Sequence, residues 1–345
     1  MSTAISARRT PVWALTAVMA VAAQTAYASP EEARQWLERM TQALATRNYI
    51  GLFTHSTPTQ QESMRIVHRV EDGRSFERLV SLDGSGREII RTREEVHAYL
   101  PDRRVVLVEP RNDEGSLLTA LPGPDARLDT FYDLEVRKGH KLLGRDVQVL
   151  EIRPRDRYRY GYRLWLDEKT AMPLRSVVAN GAGQPVEQIS FTSLEMERRI
   201  ADKEVEPAVD ATGFQWIRTG RKLAPPTQAV VAGPGGWRPL RLPPGFRLVA
   251  SRLQLLPGSP VPAQHLIFSD GMAAISVFIE PGHASGPTPP ESSTMGSANA
   301  YSTSIQGHVV TAVGEVPADT VREVATSVVP INSPAQPAAA GAPDR

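Results

Sequence analysis

The sequence alternates with period two over residues 153–166, and this alternation constrains the fold more than any other feature. Arginines and one tryptophan occupy odd positions: Arg153, Arg155, Arg157, Arg159, Arg163 and Trp165. Tyrosines and leucines occupy even positions: Tyr158, Tyr160, Tyr162, Leu164 and Leu166. Because successive side chains of a strand point to opposite faces, the pattern predicts one strand with an arginine face and an aromatic–aliphatic face. Residues 167–170 predict a turn, and residues 172–178 predict the returning strand.

Short strands and tight turns fill most of the first two hundred residues. Asp72-Gly73 and Asp83-Gly84 are strong turn signals between neighbouring strands. The other predicted strands cover residues 49–56, 64–70, 74–82, 87–92, 96–100, 104–109, 132–137, 148–152 and 186–192. Turns at this spacing predict an antiparallel meander. The predicted strands number about ten or eleven, and we expect them to form a strongly curved, half-open barrel.

One helix is predicted before the first strand. Ser29 can cap it, Pro30 suits its first position, and Glu32 stands three residues after the cap. Its apolar residues share one helical face: Ala33, Trp36, Leu37, Met40 and Leu44. Such a face packs as core, and on a curved sheet it also lines any cavity that the sheet encloses.

Two blocks of residues resemble known families. The pattern Tyr162-x-Leu-Trp-Leu-Asp, turn, Pro173-Leu resembles the lipoprotein-carrier half-barrels of the LolA/LolB type. A second block is more specific, and its spacing resembles the MucB/RseB family: His68-Arg69, Gly73, Glu77-Arg78-Leu79, Leu82-Asp83-Gly84, Arg87-Glu88 and Arg91. The Ser269-Asp-Gly turn and the segment 313–317 also resemble the C-terminal domain of this family. The resemblance covers nearly all of the mature chain.

The charged residues of the second block have two interpretations. They lie on neighbouring predicted strands: His68, Arg69, Glu77, Arg78, Glu88 and Arg91. Opposite charges on adjacent strands form cross-strand pairs, which predicts a stabilising ladder. A role in docking a partner or gating the sheet stays open beside it.

The predicted fold class is α+β, mainly β. We expect an N-terminal LolA/LolB-like curved antiparallel half-barrel with covering helices, and a smaller C-terminal α+β domain. The expected boundaries are a signal peptide at 1–28, the half-barrel at 29–204, a linker at 205–236, the C-terminal domain at 237–331 and a disordered tail at 332–345. Long loops are expected at 110–126 and 281–298, and a closing helix is expected from about Pro317.

The N-terminus predicts export. Arg8 and Arg9 precede an apolar run at residues 12–23, and Ala26-Tyr27-Ala28 is a small-x-small cleavage site. The run is too short to span a bilayer comfortably. The chain lacks cysteine, which excludes disulfides, thiolate metal sites and a lipid-modified cysteine anchor. These features predict a soluble periplasmic protein.

Charge and motifs argue against nucleic-acid binding and catalysis. The chain has 39 basic and 38 acidic residues, a net charge of +1, and loss of Arg8 and Arg9 leaves 37 against 38, or −1. A near-neutral protein is a poor candidate for nucleic-acid binding. Charge and stacking groups on the arginine–tyrosine strand could nevertheless suggest binding of a single-stranded nucleic acid. Anionic groups such as lipid phosphates or an acidic peptide remain an alternative for those arginines. The seven histidines show no zinc spacing, and we find no nucleophile elbow or phosphate cradle. The sequence therefore predicts no enzyme, no metal and no cofactor.

The resemblance implies a regulatory binding protein. It would bind the periplasmic domain of a membrane anti-sigma factor (RseA/MucA-like), shield it from regulated proteolysis, and be released by a lipid, lipopolysaccharide or lipoprotein signal. A homodimer is left open. The alternative is a periplasmic carrier of lipids or lipoproteins, for which the second domain has no obvious use.

Two sets of site residues are predicted. An apolar cavity would be lined by Trp36, Met40, Tyr160, Tyr162, Leu164 and Leu166. The partner would be bound in the C-terminal domain by Phe268, Met272, Ile275, Phe278 and Arg322.

Overall fold

An amphipathic helix opens the structured chain. In the computed structural model the described residues are 30–111, 128–196, 199–218, 236–256, 259, 261–282 and 289–331. The first helix, α1, covers Pro30–Thr46 and packs against the sheet that follows it. Its predicted apolar face is buried: Ala33, Trp36, Leu37, Met40 and Leu44.

A large curved sheet follows α1. Among the described residues, its first six strands are β1 Tyr49–Ser56, β2 Gln61–Glu71, β3 Arg74–Ser81, β4 Glu88–Arg91, β5 Glu95–Leu100 and β6 Val105–Pro110. A 3₁₀ turn at Pro101–Arg103 separates the last two. After helix α2, Leu128–Phe131, come β7 Tyr132–Lys138, β8 Val147–Pro154, β9 Gly161–Asp167, β10 Pro173–Ala179 and β11 Pro185–Met196. Helix α3, Asp202–Val205, and strand β12, Gln215–Arg218, complete this part.

The strand order shows two meanders that join through β1 in one open sheet. In the described chain the order is β12-β6-β5-β4-β3-β2-β1-β11-β10-β9-β8-β7. Strand β1 pairs antiparallel with both β2 and β11, so the first and last strands of the predicted meander meet. Strand β12 is the parallel neighbour of β6 and lies within the range predicted as linker. Its Trp216-Ile217 pair is too short an apolar signal to indicate a strand from sequence. We call residues 30–218 the N-terminal module.

The prediction of one long strand over residues 153–166 is wrong. Strand β8 ends at Pro154, residues 155–160 form a bend, and β9 begins at Gly161. Asp156 stabilises the bend because its Oδ1 accepts a hydrogen bond of 2.9 Å from the backbone N–H of Tyr158. Aspartate often forms such local bonds, and they compete with strand pairing. The alternation runs through the bend and conceals it.

A smaller sheet follows, and we call residues 236–331 the C-terminal module. Its described elements are β13 Trp237–Pro239, β14 Arg247–Gln254, β15 Ala263–Ser269, β16 Ala274–Pro281, β17 Glu291–Met295, β18 Ala298–Ile305, β19 His308–Gly314, α4 Ala318–Thr326 and β20 Val328–Pro330. In the described part, six strands form one sheet in the order β14-β15-β16-β19-β18-β17, and β13 pairs with β20. Helix α4 packs on β18 and β19, so its predicted apolar residues Val321, Val324 and Ala325 are buried. The α+β, mainly β fold class is confirmed.

The expected loop at residues 281–298 is partly wrong. Strand β17 lies inside it and pairs with β18 across Gly296, which has a positive φ of 60°. This strand consists mainly of serine and threonine, and prolines and glycines precede it. Because these residues are typical of loops, the sequence did not predict a strand here. The expected signal peptide, the tail at 332–345, and most of the loop at 110–126 lie outside the described residues. No helix in the described ranges is long and apolar enough to span a membrane.

Candidate functional site

The two modules meet at a buried arginine. Arg159 lies in the bend between β8 and β9, and its guanidinium is fully buried. Its Nε donates a 2.5 Å hydrogen bond to Oδ2 of Asp270 in the C-terminal module. The remaining guanidinium nitrogens donate to the carboxylate of Asp156 and to the backbone carbonyl of Pro244. The arginine therefore joins both modules through charge-assisted hydrogen bonds.

Asp270 is held in place by its own hairpin. It follows β15, and its Oδ1 accepts hydrogen bonds from the backbone N–H groups of Met272 (2.9 Å) and Ala273 (2.8 Å). Its Oδ2 also accepts a 3.1 Å hydrogen bond from the hydroxyl of Tyr132. Burial raises the pKa of Tyr132, and the charge of Asp270 raises it further, so the hydroxyl stays protonated and donates. The turn thus aims a fixed carboxylate at Arg159.

Three aromatic rings surround the same guanidinium. Its central carbon lies 4.7 Å from the ring centroid of Phe131, 5.8 Å from that of Tyr132 and 5.0 Å from that of Phe246. Burial alone would lower the pKa of Arg159, but the bond to Asp270 and the nearby carboxylates outweigh it and raise the pKa. An arginine that is enclosed by aromatic faces and paired with carboxylates keeps its charge.

A second set of contacts reinforces the junction. The amide of Asn299 on β18 donates to the hydroxyl of Tyr160 (2.9 Å) and to the backbone carbonyl of Val316 (2.8 Å). Thr320 donates to the backbone carbonyl of Tyr158 at 3.2 Å. At the rim, Arg157 forms a 3.4 Å ion pair with Glu323. Residues 157–160 of the bend therefore all contact the C-terminal module.

A third contact contains titratable groups. Glu187 on β11 bonds to Nε2 of His55 on β1 at 2.9 Å, and accepts a 2.9 Å hydrogen bond from the backbone N–H of Ser297 in the C-terminal module. Burial raises the pKa of Glu187, but the bonds from His55 and Ser297 outweigh it and lower the pKa to about 2. The bond to Glu187 raises the pKa of His55 against the opposing effect of burial. Burial and the charge of Glu187 raise the pKa of Glu315.

The predicted ladder of charges is confirmed and is largely buried. Arg91 donates to Glu77 at 3.0 Å, and Arg78 makes two 3.0 Å hydrogen bonds to Glu88. His68, Glu77, Glu88 and Arg91 are all buried. Arg69 differs, because it pairs with Asp202 of α3 and not with a neighbouring strand. The ladder therefore connects β3 to β4, and a 3.7 Å contact between His68 and Glu77 connects β2 to β3.

The six residues predicted to line an apolar cavity lie together in one core, to which α1 contributes the first two: Trp36, Met40, Tyr160, Tyr162, Leu164 and Leu166. Trp36 and Tyr160 are the least buried of them, at 7% exposure each. In this conformation the six side chains pack on one another and on neighbouring core residues. Their assignment to a ligand stays a prediction.

The residues predicted to bind the partner are dispersed. Phe268 and Ile275 lie in the core of the C-terminal module. Met272 packs against the core of the N-terminal module, and Phe278 stacks on His265 with ring centroids 4.2 Å apart. Arg322 is exposed on α4 and pairs with Asp319. Their role in partner binding also stays a prediction.

The arginines considered for anionic groups already have carboxylate partners. The pairs are Arg155 with Asp133, Arg157 with Glu323, Arg159 with Asp270 and Arg163 with Glu151. Within the described ranges, no three His, Asp or Glu side chains are grouped so that they could hold a metal ion. Sequence reasoning missed Asp270 and Asn299 as junction residues. The only available signal was the Ser269-Asp-Gly turn, which indicates a hairpin and not a partner.

Comparison with known proteins identifies the family. Residues 32–209 match the MucB/RseB N-terminal domain, and residues 232–329 match the MucB/RseB C-terminal domain. The sigma factor AlgU regulatory protein MucB of Pseudomonas aeruginosa is 32% identical over 312 residues, which cover 87% of this chain and 91% of MucB. The sigma-E factor regulatory protein RseB of Haemophilus influenzae is 25% identical over 303 residues, covering 87% and 93%.

A solved structure agrees in sequence and fold. In the structure of the Pseudomonas aeruginosa MucA/MucB complex, the matching chain is 31% identical and superposes with a TM-score of 0.66. The match covers 88% of this chain and 100% of that chain. The relatives in this comparison are regulatory proteins of sigma factors. On these matches, which confirm the resemblance, the chain belongs to the MucB/RseB family.

Proposed function

We propose that this chain is a periplasmic negative regulator that binds the exported part of an anti-sigma factor and shields it from regulated proteolysis. One observation carries the proposal: both modules match a chain that was solved in complex with MucA, over 88% of this sequence. The paired residues at the module junction support it further. Arg159 and Asp270 join the modules, so a partner can meet both of them in one fixed arrangement.

We also propose that an apolar ligand such as lipid, lipopolysaccharide or lipoprotein releases the anti-sigma factor. Such a ligand would have to open the packed core to which α1 contributes, because residues such as Met40 and Leu164 are fully buried. Tyr160 links this core to the C-terminal module through Asn299. Opening the core would therefore disturb the junction, which gives a physical route from ligand to partner. By linkage, ligand and partner must weaken each other's binding by the same factor.

A carrier of lipids or lipoproteins is the weaker alternative. A carrier needs the curved sheet alone. In this chain, buried ion pairs and hydrogen bonds join a second sheet to the curved sheet. The regulator explains the joined modules, and the carrier does not.

The direct test measures binding between purified components. The mature chain, residues 29–345, is titrated with the exported segment of the anti-sigma factor from the same organism at low salt. We expect saturable binding that added lipopolysaccharide or lipid micelles weaken. The exposed ion pair of Arg163 with Glu151 offers a control variant, Arg163→Gln, which should bind like the wild type. Absence of binding at low salt would overturn the proposal. Binding that neither lipopolysaccharide nor lipid weakens would contradict release of the partner by such a ligand.

A further inference from the structure

Strand β14 is an apolar edge of the smaller sheet. In the described part of the chain it pairs with β15 on one side and with no strand on the other. Large apolar side chains are exposed on this strand and beside it, and we call them the edge patch: Leu248, Val249, Leu253, Leu255 and Val261. Leu253 is 71% exposed. Apolar patches on soluble proteins commonly mark interaction sites.

The opposite edge of the same sheet is different. Strand β17 presents polar residues to solvent, Glu291, Ser292, Ser293 and Thr294, with Met295 as its one large apolar residue. Edge strands are normally protected against pairing by charged residues, bulges or short length. Strand β14 carries a bulge between Leu248 and Ala250, but its remaining part up to Gln254 is regular. The two edges of this sheet therefore differ, because β14 exposes several large apolar side chains and β17 exposes one.

The charges on β14 all have one sign. Arg247 and Arg252 form no ion pair with a carboxylate among the residues that the structure describes. Arg252 instead donates to Nδ1 of His265 at 3.2 Å. Some arginines of the N-terminal module behave differently, since Arg153 and Arg155 each pair with an acidic residue. The strand is thus complementary to a segment that combines apolar and acidic side chains.

We propose that β14 is the docking strand for an extended apolar and acidic segment of the anti-sigma factor, which adds to the smaller sheet as a further strand. This inference rests on the proposed function and names the surface that would carry it. Backbone hydrogen bonds to β14 would provide affinity, and alternate side chains would meet the edge patch. Carboxylates of the segment would pair with Arg247 and Arg252. Phe268 and Ile275 of the same module face its core, so they cannot offer this surface without unfolding.

The test compares two matched variants of the mature chain. Leu253→Asp places a repelling charge in the edge patch, and Met295→Asp places the same charge on the opposite edge, where Met295 is 81% exposed. Both side chains are largely exposed, so both variants should fold, which circular dichroism melting checks. We expect Leu253→Asp to raise the Kd for the purified anti-sigma segment about tenfold or more, and Met295→Asp to leave it within about twofold.

A second variant tests the charges, and hydrogen exchange tests the backbone. Arg252→Glu should raise the Kd more at low salt than at high salt, because added ions screen the attraction. Amide hydrogens of β14 should exchange more slowly in the complex.

The outcomes separate this inference from the proposed function. If the wild type does not bind the segment, the proposed function fails and this inference fails with it. If the wild type binds and Leu253→Asp binds equally well, only the docking strand is overturned. If Leu253→Asp instead converts a wild-type dimer to a monomer and leaves segment binding unchanged, the edge pairs two copies of the chain and the inference is overturned.

Discussion

Arg159 and Asp270 are 111 residues apart in sequence, yet Nε of the first lies 2.5 Å from Oδ2 of the second, and both side chains are fully buried. Each residue also anchors its own module, Arg159 through Asp156 and Asp270 through the turn that it caps. This pair is therefore the point at which the bend between β8 and β9 and the hairpin of β15 and β16 depend on each other.

Removing one member of this pair should be strongly destabilising. Asp270→Ala leaves the charge of Arg159 buried without its main partner, and we expect a loss of about 3–5 kcal/mol in the free energy of unfolding. The control is Asp133→Ala, which removes the exposed partner of Arg155 and should cost less than about 1 kcal/mol. Urea unfolding monitored by tryptophan fluorescence measures both. Equal losses for the two variants would contradict a special role for the junction.

A glycine next to the pair permits a close approach. Gly245 has a φ of 84°, and a Cβ at this position would collide with the ring of Phe131. Gly73 has a similar φ of 71° but open space around it. Both alanine variants carry the left-handed backbone penalty of about 1–2 kcal/mol. Gly245→Ala should cost about 1–3 kcal/mol more than Gly73→Ala, because it also overpacks the junction.

Thermal or urea unfolding of the two glycine variants side by side is the measurement. The difference between them isolates the contact with Phe131, since the backbone term is shared. Indistinguishable stabilities would mean that the ring of Phe131 moves aside at no cost, and would contradict a tightly packed junction.

His55 should make stability depend on pH in one direction. Its pKa is raised in the folded protein by Glu187, with Glu62 adding to the effect. The stabilisation is therefore fully present below the unfolded value of about 6.5 and is lost as the pH rises through the raised folded value. His55→Gln should lower the free energy of unfolding by about 0.5–1 kcal/mol at pH 5.5, a small value because the pair is partly exposed. The loss should be much smaller at pH 8.5, where His55 is uncharged. Stability curves for this variant and for His140→Gln, at an exposed histidine, provide the check. A constant difference from the wild type across this range would contradict the assignment.

His265 should act in the opposite direction. Burial, with Arg252 nearby, lowers its pKa to about 4. A histidine with a lowered folded pKa contributes stability above its unfolded pKa, and that stability is lost as the pH falls towards 4. The loss for the wild type between pH 6.5 and pH 4 should be on the order of 2–3 kcal/mol. His265→Gln should flatten this acid limb, which acid titration followed by circular dichroism can resolve. An unchanged acid limb would show that His265 is protonated without unfolding.

Local pattern was enough to predict most of the elements. The helix from Pro30 and strand β1 follow directly from periods of 3.6 and two, and the hairpin across Asp270 follows from its turn residues. The bend at 155–160 could not be predicted, because alternation continues through it. The role of Arg159 depends on a carboxylate 111 residues away, and no local pattern carries that information.

The burial of the residues at both predicted sites could not be predicted from the sequence. The six cavity residues were identified by their apolar character, and apolar character alone does not distinguish a packed core from a ligand cavity. The partner residues were placed by their module, and the alternating strand pattern did not tell which face α4 covers. Exposure of Leu253 at the edge depends on strand order, which the sequence of one strand does not contain.

The most direct measurement of the central claim is protection from proteolysis. The exported segment of the anti-sigma factor is incubated with the first protease of its release cascade, with and without the mature chain. An unrelated substrate of the same protease serves as the control for inhibition of the enzyme. We expect cleavage to slow in proportion to the fraction of segment bound and to recover when lipopolysaccharide or lipid is added. Cleavage at the same rate with saturating protein present would contradict it.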